Sequence, residues 1–337
     1  MTDPVATAVA AVATGRLDPR CPVTVRKVRC SMPLDPQVEA MRAQRAAENV
    51  PQLYTRTLAE ARAADLAAIQ AAGGEVEPVH SVEDVVVDEL GLPLRVYRPA
   101  GDGPLPTLVY FFGGGWTLGS IETADGICRR LANAVPCQVI TVGYRLAPEN
   151  PFPAAVLDCH RATEWIAKSW LVDADRVVVG GDSAGGNLAA ATTLLARDNG
   201  PALAGQLLVY PNTLYGSDTP SMRAGDDPYL FNRTSVGWYW DHYLTDPAQG
   251  RDPLASPLLA TSHAGLPPAL VITAEYDPLR DEGEFYAEKL HAAGVPTVLS
   301  RYDGMVHGFF AMSGVLDGGR RAIGEAADWL RGVFADG

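Results

Sequence analysis

The sequence has no run of about 18 apolar residues anywhere in its 337, which excludes a membrane-spanning helix. Basic charge is scarce: 27 Lys and Arg stand against 40 Asp and Glu, a formal net charge of -13. No block of like charges forms a tail, so a nucleic acid or an anionic membrane is disfavoured as a partner. Cysteine pairs at C-x-x-C spacing are also missing. The five cysteines, Cys21, Cys30, Cys128, Cys137 and Cys159, are an odd number and read as reduced thiols rather than a disulfide framework or a zinc site. No internal repeat or low-complexity block occurs. The weakly apolar N-terminal stretch follows acidic Asp3, and its first basic residue, Arg16, comes after it. That order argues against a secretory signal and for a cytoplasmic protein.

What is present is a large apolar fraction, 47%, enough to bury a sizeable core in one large α/β domain with insertions or in two domains. Residues 1–31 carry no assignable chemistry and read as an N-terminal extension. From residue 34 the pattern turns helical, with Asp35 placed as an N-cap, Pro36 in the first turn, and Val38, Met41 and Ala46 on one face. A second Ala-rich helical stretch covers 55–72 and ends at Gly73-Gly74. Strands at 84–88 and 94–98 form an expected antiparallel pair near a sheet edge. Apolar runs at 107–112 and 138–144 suit strands buried on both faces, and further strands are expected at 176–179, 206–210, 270–274 and 297–301. Helical patterns at 124–134, 153–170, 186–196, 281–293 and 320–334 alternate with them, which means a mostly parallel, doubly wound α/β sheet flanked by helices. One segment, 211–257, breaks the alternation. It is rich in turn residues and carries Tyr215, Tyr229, Phe231, Trp238, Tyr239, Trp240 and Tyr243, so it reads as an inserted helical lid over the strand ends. The Trp238 to Tyr243 cluster has two readings, packing or ligand contact.

The chemistry centres on Gly181-Asp182-Ser183-Ala184-Gly185, a G-x-S-x-G sequence between a β-branched run and an Ala/Leu-rich helical pattern. In that context the serine sits on a sharp strand-to-helix turn with its hydroxyl exposed above the sheet, whereas the same five residues elsewhere would be an ordinary loop. A serine hydroxyl needs a base in reach and a carboxylate to orient that base. Of the later histidines, His291 falls at a helix C-terminus, His242 in the lid, and His263 before a strand at its wrong end. His307, in a Gly-flanked loop after the last strand, is the expected base. Asp277 projects from the end of the 270–274 strand and is the expected acid. Glu275 competes, Asp281 reads as a helix cap and Asp303 as a turn residue before Gly304. Gly113-Gly114-Gly115 follows a strand directly. Three glycines leave backbone N–H groups free to face an anion, with the Ala184 N–H as a further donor.

These stretches, together with Leu34-Asp35-Pro36-Gln37-Val38, Tyr144-Arg145-Leu146-Ala147-Pro148-Glu149, Phe152-Pro153-Ala154-Ala155, Asp277-Pro278-Leu279-Arg280-Asp281-Glu282-Gly283 and Asp303-Gly304-Met305-Val306-His307-Gly308-Phe309, resemble the hormone-sensitive-lipase-like family of α/β-hydrolases. The resemblance spans residues 34 to about 335. It implies a serine carboxylesterase acting on a small-molecule ester, with Ser183, Asp277 and His307 as triad and the Gly114, Gly115 and Ala184 N–H groups as oxyanion hole. It also implies no metal or organic cofactor, and a homodimer by family analogy. It implies a cap built from residues 32–80 and 211–257 over a catalytic core of 81–210 and 258–337. Phe112, Trp116 and Asp182 are the expected pocket residues. The family loop reads His-Gly-Gly-Gly, and here Phe112 replaces the histidine, so a ring of similar size without a polar partner is expected to reshape the pocket for a bulkier or unusual ester. Two other outcomes use the same residues: acyl transfer or cyclisation of a secondary metabolite with water excluded, or small-molecule binding without chemistry.

Overall fold

The computed structural model describes residues 32–335 with the exception of 88, 90 and 102. The expected N-terminal extension, residues 1–31, lies outside the described residues, as do Cys21 and Cys30. Eight strands form one sheet in the order β1-β2-β4-β3-β5-β6-β7-β8. They are β1 (Ser81–Val87), β2 (Leu92–Arg98), β3 (Leu105–Phe111), β4 (Gln138–Val142), β5 (Val172–Asp182), β6 (Gly205–Val209), β7 (Ala269–Tyr276) and β8 (Thr297–Val306). β1 and β2 pair antiparallel, as do β2 and β4, and the remaining pairs from β4 to β8 are parallel. The expected edge hairpin and parallel centre are both there.

The central strands are buried on both faces. Every residue of β4 and β6 is buried, and β3 buries Thr107 through Phe111. Two amphipathic helices, α3 (Ile121–Ala134) and α9 (Asp317–Ala335), turn apolar stripes to the sheet, including Ile127, Leu131, Ile323 and Leu330. On the other side α4 (Ala154–Ala167) packs against α5 (Ala184–Asn199), whose first eleven residues are all buried. Small side chains such as Ala189, Ala190 and Ala191 let α5 lie close to β3, β5 and β6.

The expected element ends change most in two strands. β5 starts at Val172, not 176, because its polar Asp173–Asp175 stretch still pairs through Val172 with Leu105 across a register shift. β8 runs on through Asp303 and Gly304 to Val306, so Asp303 is a strand residue and not a turn residue. The strand accommodates Gly304 at φ +74 by a register shift against β7, with the Gly304 N–H given to Glu275 Oε2 and its carbonyl accepting from Asp35 N.

Two segments lie over the strand ends. The first holds α1 (Pro36–Ala47), with Asp35 accepting from Gln37 N as its cap, and α2 (Leu58–Gly73), capped by a reciprocal Thr57/Glu60 box. The second, between β6 and β7, holds α6 (Pro220–Ala224) and α7 (Arg233–Tyr243). Arg42 pairs with Asp227 at 2.5 Å, Arg45 Nε donates to the Tyr229 carbonyl, and Gln52 Nε2 donates to the Pro228 and Leu230 carbonyls. These bonds knit the two segments together. Among the described residues no helix is long and apolar enough to cross a membrane.

Candidate active site

The expected site residues stand at or just past the C-terminal ends of parallel strands: Phe112–Gly115 after β3, Asp182 as the last residue of β5 with Ser183 next, Asp277 after β7 and His307 after β8. Side chains carried at those ends converge in one crevice. Ser183 stands between the last residue of β5 and the first of α5 with φ +57, a backbone conformation that costs a non-glycine residue of the order of 1–3 kcal/mol. The turn is held by Ser183 N donating to the Val209 carbonyl and by Asn212 N donating to the Ser183 carbonyl. The flanking glycines are dictated by close approach. A Cβ on Gly185 would sit 1.9 Å from the Phe111 carbonyl oxygen, and one on Gly181 would sit 2.4 Å from that same atom.

The three polar side chains form a connected line. Asp277 Oδ2 lies 2.7 Å from His307 Nδ1, and His307 Nε2 lies 2.9 Å from Ser183 Oγ. Asp277 is 2% exposed, and its Oδ1 accepts from Leu279 N, which fixes the carboxylate plane. Phe231 of the insertion stacks on the His307 ring at 4.1 Å and 21°, and Tyr210 packs at 4.6 Å. The imidazole is held at both nitrogens and by its neighbours' rings.

Asp182 is half-buried beneath the glycine loop, and its Oδ1 accepts from Tyr110 Oη at 2.9 Å and from Gly113 N at 3.1 Å. Burial holds its carboxyl above the usual range, against the opposing effects of the Tyr110 hydroxyl, the His307 ring and the Gly113 N–H. Gly113 N–H is therefore engaged. Among the described residues no acceptor meets the N–H groups of Gly114, Gly115 and Ala184. Gly115 has φ +59, and a Cβ there would lie 2.1 Å from Tyr239 Cδ1, so the ring of Tyr239 rests directly on the loop. Phe112 is 2% exposed and stacks on Tyr144 at 4.2 Å, while Tyr144 Oη donates to the Phe112 carbonyl.

A cavity of about 230 Å³ opens above Ser183 and His307. Gly113 to Gly115, Phe112 and Asp182 line it from below; Met41, Arg45, Asp65, Ala68 and Ile69 line it from the first covering segment, and Phe231, Trp238 and Tyr239 from the second. Among the described residues no group of three or more His, Cys, Asp or Glu is placed to hold a metal ion.

The structure departs from the sequence reading at two side chains. Trp116 does not line the cavity. It is fully buried, stacked on Tyr243 at 4.3 Å and 2° and packed on Trp240 at 4.4 Å, so its apolar bulk joins the loop to α7 instead of facing a ligand. Asp281 does not cap α8 (Arg280–Ala292). The helix begins one residue earlier, with Leu279 at the N-cap position, and Asp281 Oδ2 accepts from Ser221 N at the start of α6. The Trp238 to Tyr243 cluster divides along the helix: Trp238 and Tyr239 reach the cavity, and Trp240 and Tyr243 pack inward. His242, His263 and His291 lie away from the line, with His242 Nδ1 on the Trp238 carbonyl and His263 Nε2 on the Pro257 carbonyl. Two side chains at the site went unnoticed individually in the sequence, Phe231 and Asp65. Asp65 was detectable as a carboxylate interrupting the apolar face of an Ala-rich helix.

Residues 108–311 match the model of a family described by its alpha/beta hydrolase fold. The chain is 42% identical over 250 residues to the carboxylic ester hydrolase LipN of Mycobacterium tuberculosis, covering 71% of this chain and 66% of that protein. It is 43% identical over 239 residues to an arylesterase of Saccharolobus solfataricus, covering 69% of this chain and 78% of that one. Among solved structures, the hyperthermophilic esterase of Pyrobaculum calidifontis superposes with a TM-score of 0.84 at 40% identity, over 89% of this chain and 99% of that one. With its sheet order, its serine at the β5–α5 turn and these relatives, the chain belongs to the hormone-sensitive-lipase-like family of α/β-hydrolases.

Proposed function

We propose that this chain is a serine carboxylesterase that hydrolyses short- to medium-chain or compact natural-product esters through an acyl-enzyme on Ser183. The observation that carries this is the unbroken line from Asp277 to His307 to Ser183 at 2.7 and 2.9 Å, beside three N–H groups with no acceptor among the described residues, under one covered cavity. His307 Nε2 takes the hydroxyl proton as Ser183 Oγ attacks the ester carbonyl. Asp277, on Nδ1, keeps the ring in the orientation and tautomer the transfer needs. The Gly114, Gly115 and Ala184 N–H groups receive the oxyanion, each worth about 2.7–4 kcal/mol of barrier. Collapse of the tetrahedral adduct breaks the bond to the alcohol oxygen, which leaves with the proton from His307. Water, deprotonated by His307, then releases the acid and restores Ser183.

In this reading residues 32–80 and 211–257 act together as a cap on a core of 81–210 and 258–337, a division supported by the bonds between Arg42, Arg45, Gln52 and the insertion. Phe112, buried against Tyr144 yet bordering the cavity, gives its floor an apolar ring. A cytoplasmic homodimer completes the proposal, supported by free thiols at Cys128, Cys137 and Cys159 and by family likeness; light scattering and cell fractionation test it.

The test is hydrolysis of p-nitrophenyl esters from acetate to decanoate by the native protein and by Ser183→Ala. Turnover on the shorter chains that vanishes in the variant is expected. Turnover that survives in Ser183→Ala would refute the assignment.

A further inference from the structure

Helix α1 carries two arginines towards the insertion, and they are partnered differently. Arg42 pairs with Oδ2 of Asp227, whose Oδ1 accepts from Tyr229 N, so both oxygens of that acid are engaged. Arg45 donates through Nε alone, to the Tyr229 carbonyl at 2.9 Å. Among the described residues no acceptor meets its Nη1 or Nη2, and both nitrogens keep surface open to solvent. The side chain is half-buried and lines the cavity above Ser183, where it is the one Lys or Arg among the described lining residues. Burial lowers its pKa, and no carboxylate stands close enough to oppose that.

Two structural duties account for part of this residue. It sits in the last turn of α1, where a cation suits the unsatisfied carbonyls, and its Nε ties that helix to the insertion. Neither duty uses the forked end. Gln52 shows that a neutral amide serves as such a tie, since it donates to the Pro228 and Leu230 carbonyls without bringing a charge. A partly desolvated guanidinium with no counter-ion is costly, and a chain with 40 acidic against 27 basic residues has acids enough to supply one.

We propose that Arg45 is a specificity-determining residue whose free Nη1 and Nη2 receive an ionised carboxylate carried by the substrate at the end remote from its scissile ester. This rests on the esterase reading and narrows it to esters bearing a second, free acid group: half-esters of dicarboxylic acids, or acyloxy derivatives of aromatic acids. The planar fork matches the two oxygens of a carboxylate, and the Nε bond to Tyr229 fixes the direction in which it is offered. A neutral substrate leaves the fork as it stands in the free protein and gains nothing from it.

The experiment measures binding rather than turnover, using Ser183→Ala protein so that ligands stay intact. Isothermal titration at pH 7 compares monoethyl glutarate and monoethyl adipate, which place the carboxylate on the acyl side, and 3- and 4-acetoxybenzoate, which place it on the alcohol side, each with its neutral carboxamide. At least one carboxylate is expected to bind about tenfold more tightly than its carboxamide. In Ser183→Ala/Arg45→Met that ratio is expected to fall to about one, and in Ser183→Ala/Arg45→Lys, which keeps the charge and loses the fork, to lie between. Raising sodium chloride from about 0.05 to about 0.5 M should lower the ratio in Ser183→Ala and leave it unmoved in Ser183→Ala/Arg45→Met. If no carboxylate binds more tightly than its carboxamide in Ser183→Ala, the proposal is overturned. It is overturned equally by a ratio that survives Arg45→Met, as when the residue only ties α1 to the insertion and its loss weakens both ligands alike. Hydrolysis of phenyl acetate by protein with Ser183 intact reports separately on the esterase reading, so the two can fail independently.

Discussion

Gly115→Ala is the most informative single change at this site, because the structure sets both its cost and its remedy. The new Cβ would stand 2.1 Å from Tyr239 Cδ1 and 2.2 Å from Cγ, where ordinary contact begins at 3.4 Å. Either the ring of Tyr239 retreats by about 1.3 Å or the loop turns its N–H away from the oxyanion position. Phe231 at 6.3 Å and Trp238 at 5.0 Å stand beside Tyr239 and leave it only the cavity side to retreat into. A side chain at φ +59 adds about 1–3 kcal/mol of backbone strain. Loss of one aimed donor lowers kcat by about 100- to 1000-fold. We expect a fall of that size for Gly115→Ala in p-nitrophenyl butyrate hydrolysis, with urea unfolding showing a smaller loss of about 1–3 kcal/mol. Adding Tyr239→Ala removes the collision, and the double variant is expected to regain about tenfold in kcat over Gly115→Ala. If Gly115→Ala keeps kcat within about threefold of the native protein, the Gly115 N–H does not serve the oxyanion. If Tyr239→Ala restores nothing, the collision is not the cause.

Asp277→Asn should fold normally and lose about 10⁴-fold in kcat, since the amide offers His307 Nδ1 the wrong partner; an unchanged rate would show that another carboxylate orients the ring. Glu282, fully buried with Oε1 accepting from Thr213 N and Leu214 N, has its carboxyl pushed up to about 8 by burial. A raised carboxyl binds its proton more tightly folded than unfolded, so stability is lost as pH climbs from about 4.5 towards 8, at about 1.4 kcal/mol per unit, and the loss levels off above that. Glu282→Gln has no such loss, so its unfolding free energy should gain on the native protein between pH 5 and 8; a pH-independent difference would refute the account. Burial pushes the Cys137 thiol up to about 12 and those of Cys128 and Cys159 well above their ordinary value. A Cys21→Ser/Cys30→Ser variant should therefore resist thiol reagents such as dithionitrobenzoate until it is unfolded, and rapid labelling of the native protein would contradict the packing.

The line Ser183, Asp277 and His307 was legible because each residue follows its strand directly, and strand ends are written locally as apolar runs breaking into glycine and polar residues. The order of elements was legible for the same reason. What escaped depends on packing between distant segments. Trp116 and Tyr239 are both large aromatics near the loop, and only the approach of α7 decides that the first packs beneath and the second faces the cavity. Asp281 reads as a cap by its position, but Asp277 already satisfies the Leu279 N–H, which frees Asp281 to receive Ser221 N from α6. Asp65 stands out as a carboxylate on the apolar face of an Ala-rich helix, but only the laying of α2 across Gly119 gives it a partner. The extra residues of β5 and β8 pass through polar or glycine positions that local propensity marks as turns.

The stack of Phe231 on His307 makes one residue both roof and jig. The side chain that covers the cavity is thus also one of the surfaces that hold its imidazole: a displacement of the insertion that uncovered the crevice would leave the ring to its bonds with Asp277 and Ser183 and to the packing of Tyr210. An insertion that covered the crevice without a flat ring at position 231 would leave one face of the His307 imidazole unpacked.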